Sequence, residues 1–526
     1  MGEHREQSVA YEPLTPTAFL QRSARVWAHR PAVVDGDMVW TYADFYDAAQ
    51  RLAGVLIAHD VAPGDRVAVL GPNRALLLSA HYAIPYASAV LVALNHRLNE
   101  DEIAAILRHS GATVLLVDSD FADRVPMIAA NNPNVTLLLG GPTGTLDGLW
   151  QDATWHCAPV EDENALLALN YTSGTTGAPK GVMYTHRGAY LQSVAMAYHT
   201  GLDTRSVMLW TLPMFHCNGW CFTWAATAAG ATHLCLATID TAEIWRQIRT
   251  AGVTHLNGAP TVLTMILNDP DAANGPAPQT VRVASGGAPP SPTLLKELTQ
   301  RGFAITHLYG LTETYGPAAI CEWQPDWDGA DDIAVKVSRQ GFGNVVSENL
   351  RVIGADGADV PWDATSIGEV AIRGNNVMTG YFNDPQRTAE VVRGGWFFSG
   401  DLGVIHPDGY IELRDRAKDV IISGGENITS VEVEQAILSH PAVLECAVVA
   451  APDNYWGEVP IAYVTCRSGQ TVTADDVVAH VRVQIARYKA PRAVVMRDEL
   501  PKTSTGKIQK HVLRVDAAAD WAVMSR

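Results

Sequence analysis

Apolar residues along this chain fall in short runs separated by stretches of helical period. Arg66–Leu70, Ala89–Ala93, Thr113–Val117 and Val135–Leu139 are Val- and Leu-rich and predict buried strands. Leu76–Ile84 and Glu102–Arg108 predict helices between them. The segment Ala75–Leu94 is apolar enough to raise the question of a membrane span. It contains Ser79, His81, Pro85 and Ser88, with Arg74 and Arg97 close by, so it predicts a buried helix followed by a buried strand. This strand–helix rhythm implies α/β layers with largely parallel sheets. Val33–Asp35 and Met38–Trp40, flanking Gly36-Asp37, predict an early hairpin.

Three later strands lead into glycine-rich loops. Ala165–Asn170 runs into Ser173-Gly174-Thr175-Thr176-Gly177, Arg282–Ala284 into Ser285-Gly286-Gly287-Ala288-Pro289, and Ala304–Leu308 into Tyr309-Gly310-Leu311-Thr312-Glu313. In open α/β sheets the ligand sits beyond the carboxyl ends of the strands, so the three loops are expected to line one crevice. Asn268–Gln279 is rich in Pro, Asp and Ala and predicts a surface loop. Further on, His406–Leu413 reads as a hairpin turning at Asp408-Gly409. A strand (Val420–Ile422), a Gly-Gly turn and a helix (Val431–Ser439) follow. The expected boundary lies near Arg414–Lys418, giving a large part, residues 1–414, and a small α+β part, residues 415–526.

The balance of 38 basic and 56 acidic residues, a net charge of −18, argues against nucleic acid or an anionic membrane as the main partner. With 47% apolar and 18% charged residues the chain is globular. Its seven cysteines include no CxxC, which points to reduced thiols. His216, Cys217 and Cys221 miss the spacing of structural zinc sites. The polar stretch Met1–Val9 is no signal peptide, and Met524-Ser525-Arg526 is not a Ser-Lys-Leu address. A cytoplasmic protein without a membrane span is the expectation.

The strongest chemical signal is Thr172-Ser173-Gly174-Thr175-Thr176-Gly177-Ala178-Pro179-Lys180-Gly181. Its glycines let the backbone approach a phosphate, its N–H groups and hydroxyls supply donors, and Lys180 adds charge. It is not a Walker A loop, since the glycine spacing before Lys180 is wrong and Gly181 stands where Ser or Thr is required.

This loop resembles the signature of the adenylate-forming superfamily, which contains acyl-CoA synthetases, peptide-synthetase adenylation domains and beetle luciferases. The resemblance runs from about Pro13 to Val515, with the motifs in the family's order. It implies a large N-terminal domain of layered α/β subdomains and a small mobile C-terminal α+β domain. Thr172, Ser173, Gly174, Thr175, Thr176, Gly177 and Lys180 would bind nucleotide. Gly287, Ala288, His307, Leu308, Tyr309 and Gly310 would line it, Tyr309 by stacking on adenine. Thr312 would contact phosphate and Glu313 would hold Mg²⁺, a hard cation suited to carboxylate oxygen. Asp401, in Ser399-Gly400-Asp401, would accept both ribose hydroxyls, with Tyr410 and Arg416 as further contacts. Lys418 resembles the hinge between two half-reactions. Lys507, within Pro501–Ile508 and after Thr505-Gly506, would be the adenylating lysine, stabilising charge at the α-phosphate.

Phe215-His216 stands where amino-acid-activating relatives carry Phe-Asp, which disfavours a free α-amino acid as acyl donor. Phe215, His216, Trp220, Gly286, Gly287 and Gly310 are the implied acyl pocket, with Trp210, Phe222 and Trp224 nearby. An apolar pocket with one polar gate suits a small, medium or cyclic acid. The His216–Trp220 pattern is similar to short- and medium-chain acyl-activating enzymes and methylmercaptopropionate-CoA ligases. Gly424, Gly425, Trp456 and Tyr488 match positions that meet CoA in relatives. The implied reaction converts a carboxylic acid and MgATP to acyl-AMP and pyrophosphate, then passes the acyl group to CoA. An amide ligase, in which an amino acid or amine takes the acyl group, shares these motifs and stays open at this point.

Overall fold

The computed structural model describes residues 12–141, 144–172, 179–288, 290–328, 330, 332–503 and 507–524. Within them the chain forms four sheets.

The first has six strands in the order Thr136–Leu139, Ala112–Val117, Arg66–Leu70, Val90–Leu94, Leu166–Thr172, Lys180–Thr185. All neighbours are parallel except the last pair. Val90–Leu94 is buried along its whole length, as a strand covered on both faces must be. The preceding helix Ala75–Tyr86 is also buried at every position. The apolar segment is thus the expected helix-then-strand core unit, and no helix of the described residues is long and apolar enough to cross a membrane.

A nine-stranded sheet packs beside it in the order Phe342–Gly343, Gly316–Ile320, Phe303–Leu311, Val281–Ser285, His255–Gly258, Val207–Leu209, Thr232–Leu234, Pro31–Asp35, Met38–Thr41. Its centre is parallel, and the early hairpin closes one edge with Asp35 opposite Met38. The principal core lies between these two sheets and takes in the helices Tyr42–Ala58 and Ala75–Tyr86. A capping box between Thr41 and Asp44 starts the first of those helices. Asn99 and Glu102 do the same for Glu100–Ser110, which Gly111 ends in the left-handed conformation.

A third, antiparallel sheet holds Arg351–Ile353, Gly368–Ile372, Trp396–Ile405, Val392–Arg393 and Ile411–Arg416. The fourth holds Glu426–Ile428, Ile421–Ser423, Gly457–Cys466, Val443–Asp453 and Ala493–Met496, with a separate apolar cluster on each face.

Two expectations change. Tyr309-Gly310-Leu311 is strand, not loop: Phe303–Leu311 continues because the antiparallel strand Gly316–Ile320 takes up its hydrogen bonds beyond Leu308. Asn268–Gln279 is not all surface, since its short helix Pro270–Asn274 inserts Ala272 into a core.

Candidate active site

The nucleotide-side residues gather where the strands of the two large sheets end. Leu166–Thr172 and Lys180–Thr185 pair with Thr172 opposite Lys180, closing a hairpin. Its tip, with Ser173, Gly174, Thr175, Thr176 and Gly177, lies outside the described residues. Lys180 Nζ sits 5.6 Å from the centre of the Tyr381 ring, and Tyr381 Oη donates to Glu313 Oε1 at 2.7 Å. Burial, followed by the charge of Arg387, holds Lys180 below the usual lysine range, while Glu313 pulls the other way. Tyr381 thereby joins the hairpin to the second motif across 68 positions of sequence, and nothing in local spacing announced it.

Thr312 and Glu313 begin a single tight turn after the Tyr309 strand. The Thr312 carbonyl accepts from buried Tyr184 Oη at 2.7 Å, and its hydroxyl accepts from Cys217 Sγ at 3.4 Å. Tyr309 is buried and donates through Oη to Asp401 Oδ2 at 2.8 Å. Arg416 Nε lies 3.2 Å from Asp401 Oδ1, with the two residues directly paired on adjacent strands. One carboxylate is thus fixed from both sides, and each of its oxygens keeps acceptor capacity for a ligand hydroxyl. His307 and Leu308 are buried, the His307 ring contacting the Arg339 carbonyl at 2.9 Å, so what they offer a ligand is backbone. Gly287 and Ala288 are exposed beside buried Gly286.

Lys507 reaches this group from the far end of the chain. Its backbone is held by Thr503, whose Oγ1 accepts from Lys507 N at 3.1 Å and whose N donates to the Lys507 carbonyl at 2.7 Å. Ser504, Thr505 and Gly506 lie outside the described residues. Lys507 is exposed, yet the surrounding protein and then the charge of Arg416 push its pKa down to about 8. Asp401 and Asp419 oppose that shift. The same ammonium acts on His216: burial first, then Lys507, lowers that imidazole to about 4, so it is neutral at pH 7.

The segment leading to His216 is held by Asn73, a buried side chain that accepts from Met214 N at 2.7 Å and donates to the Trp210 and Leu212 carbonyls at 2.8 and 3.0 Å. Cys217, Asn218, Gly219, Trp220 and Cys221 then turn left-handed in succession, with φ of 50°, 52°, 60°, 55° and 63°. This turn is buried and carries Trp220 against Gly286. A Cβ at position 286 would lie 3.1 Å from the Trp220 ring and 3.1 Å from the Leu308 carbonyl oxygen. Phe215 is buried and meets the His96 ring edge-on at 5.2 Å. Gly310 pairs with Pro317 in the strand that closes this side. Asn218 received no separate role from the sequence, but its Oδ1 accepts from Asn170 Nδ2 at 2.7 Å, tying the turn to the strand Leu166–Thr172.

Gly424, Gly425 and Trp456 form a second group. Gly424 N donates to the Trp456 carbonyl at 2.7 Å, and Arg492 lies 5.1 Å over the Trp456 ring. Trp456 and Tyr488 are 41% and 46% exposed. Among the described residues no hydrogen bond or ion pair joins this group to Tyr309, Asp401, Arg416 or Lys507. Lys418 is exposed in the turn between Ile411–Arg416 and Ile421–Ser423. The seven cysteines are all free, and no cluster of three metal-ligating side chains occurs among the described residues.

Residues 20–382 match the family described as AMP-binding enzyme, and residues 432–507 match the AMP-binding enzyme C-terminal domain. The chain is 42% identical to the acetate–CoA ligase CCL3 of Humulus lupulus, over 96% of this chain and 95% of that protein. It is 41% identical to the peroxisomal acetate/butyrate–CoA ligase AAE7 of Arabidopsis thaliana, again over 96% and 95%. The anthranilate CoA ligase AuaEII, solved with anthranoyl-AMP, superposes with a TM-score of 0.89 at 25% identity, covering 97% of this chain and 99% of that one.

Proposed function

Because the chain belongs to the AMP-binding enzyme family, we propose that the cleft between Glu313, Asp401 and Lys507 activates a short-chain carboxylic acid. The protein is an ATP-dependent, AMP-forming acid–thiol ligase. A carboxylate oxygen attacks the α-phosphorus of ATP, the bond to pyrophosphate breaks, and acyl-AMP forms. The CoA sulfur then attacks the acyl carbon, its proton passes to solvent, and AMP leaves.

Lys507 in its charged form lies between the incoming carboxylate and the α-phosphate, where negative charge accumulates. His216 is neutral and offers the carboxylate a hydrogen bond without adding a second cation. Asp401, held by Tyr309 and Arg416, accepts the ribose hydroxyls. Glu313 has one oxygen engaged by Tyr381 and one turned to no protein donor among the described residues. One carboxylate with substrate phosphates is how Mg²⁺ is usually held, so these residues fit that ion, which supplies charge neutralisation on the phosphates. Lys180 serves the same phosphates from the hairpin. The part of the chain after Lys418 is taken to turn so that Gly424, Gly425, Trp456 and Tyr488 meet CoA. Seven free thiols and the acidic charge balance suit the cytoplasm.

The observation that carries the choice of acid is the Trp220 ring against Gly286. On this reading the ring bounds the acyl space beside His216, where a longer chain would extend. Relatives named for acetate and butyrate agree with that limit. The test is thioester formation, read by mass spectrometry, across straight, branched, cyclic and aryl acids. The wild type is expected to prefer two to about four carbons, and Trp220→Ala to move the optimum to longer or branched acids by about tenfold in kcat/KM, the scale on which a filled apolar pocket discriminates. An unchanged optimum in the variant removes the short-acid reading.

A further inference from the structure

The end of the strand Ile411–Arg416 faces two ways, because successive side chains on a strand point to opposite faces. Arg416 turns to Asp401 and the nucleotide side. Asp415 turns the other way and is buried. Its Oδ2 accepts from Ser430 N at 2.5 Å, at the first turn of the helix Ser430–Leu438. Lys510 lies in the same group: its Nζ donates to Ser430 Oγ at 2.5 Å and pairs with Glu434 at 2.8 Å. Glu434 in turn accepts from Val448 N at 2.7 Å. Lys510 follows Lys507 by three residues and opens the helix Lys510–Met524. From the same helix Arg514 pairs with Asp419 in the turn.

Asp415 is therefore bound by pairing to the sheet of the large part, opposite Leu402, while Ser430 and Lys510 lie beyond Lys418. We propose that Asp415 is a latch: by gripping Ser430, which Lys510 also holds, it seats Lys507 beside Asp401 and Arg416 for adenylation, and it must let go before acyl transfer. Asp415 is a positioning residue, acting on the reaction through the Lys507–Lys510 segment. The proposal rests on the reading that the part after Lys418 turns between the two steps.

Asp415→Asn keeps the shape and removes the charge. Lys510 remains paired with Glu434, so the variant leaves no buried cation alone. Ser430→Pro removes the N–H donor at a helix position that tolerates proline and attacks the same contact from the other side. Two half-reactions are measured on the full chain: butyrate-dependent exchange of pyrophosphate into ATP, and thioester formation from synthetic butyryl-AMP and CoA. Both variants are expected to lose about tenfold in exchange, the scale of one charge-assisted hydrogen bond. They are expected to keep or exceed the wild-type rate of thioester formation. A merely structural defect lowers both rates together, and that result, or no change in either, overturns the latch. Lys418→Pro is the control, expected to spare exchange and slow thioester formation. If Lys418→Pro fails to separate the steps, the turning itself is lost. If it separates them and the Asp415 and Ser430 variants do not, the latch alone is lost.

Discussion

A lysine ammonium lined by protein and faced by Arg416 gives up its proton more easily than one in water, and Lys507 is placed near pH 8 on this account. On the proposed mechanism the active form is the charged one. In the free enzyme it is complete below pH 7 and lost as pH rises through 8, so kcat/KM for pyrophosphate release is expected to be flat and then to fall about tenfold per unit above that point. Lys507→Arg stays charged throughout and should abolish the break; a break at the same pH in that variant assigns it to another group. Lys507→Ala is expected to cost adenylation about 10²–10³-fold, the size of a lost transition-state charge contact, with the fold intact. His216, lowered to about 4, should contribute no break near its ordinary value. Lys507, Glu313 and Asp401 could be singled out from the sequence because each stands in a dense local motif. Tyr381 and Asp415 were not: Glu313 lies 68 positions from Tyr381, Ser430 meets Asp415 across the turn at Lys418, and only the folded chain brings them together.

At the scale of elements, the strands Arg66–Leu70, Val90–Leu94, Ala112–Val117, Thr136–Leu139 and Val281–Ser285 were read to within a residue, since a buried strand writes itself as a continuous apolar run, whereas the short parallel strands Val207–Leu209, Thr232–Leu234 and His255–Gly258 went unread. The left-handed turn from Cys217 to Cys221 had no such signature: handedness is a property of φ, and alternation of polar and apolar residues does not encode it. Four of its five residues carry a Cβ, at roughly 1–2 kcal/mol each relative to the right-handed form. Burial of Trp220 and the Asn170–Asn218 hydrogen bond offset that strain. Gly219 is the one residue without a side chain there, and a Cβ on it would lie 2.5 Å from the Trp210 ring. Gly219→Ala is thus expected to destabilise the protein by about 2–4 kcal/mol, strain and overpacking together, with loss of acid activation. Urea denaturation measures this; an unchanged midpoint would mean that the turn relaxes freely.

For the molecule as a whole, the proposed nucleotide site draws Asp401 from one side of Lys418 and Lys507 from the other, so an adenylate bound there would bridge both parts. A non-hydrolysable acyl-AMP mimic at about a hundred times its Kd suppresses opening about a hundredfold. Trypsin cleavage at exposed Lys418, followed by mass spectrometry of the fragments, should slow accordingly. Cleavage at an unchanged rate would mean that the ligand holds one part only. The sheet order carries a consequence for synthesis. Pro31–Asp35 pairs with Thr232–Leu234, Val33 opposite His233, and so waits for a partner made about 200 residues later. At ribosomal rates of about 5–20 residues per second that is on the order of 10–40 s. During that interval the early hairpin carries an unpaired parallel edge, the kind of edge on which two nascent chains from one message can join. The strand that completes the largest sheet is therefore also the one most exposed to error while the protein is being born.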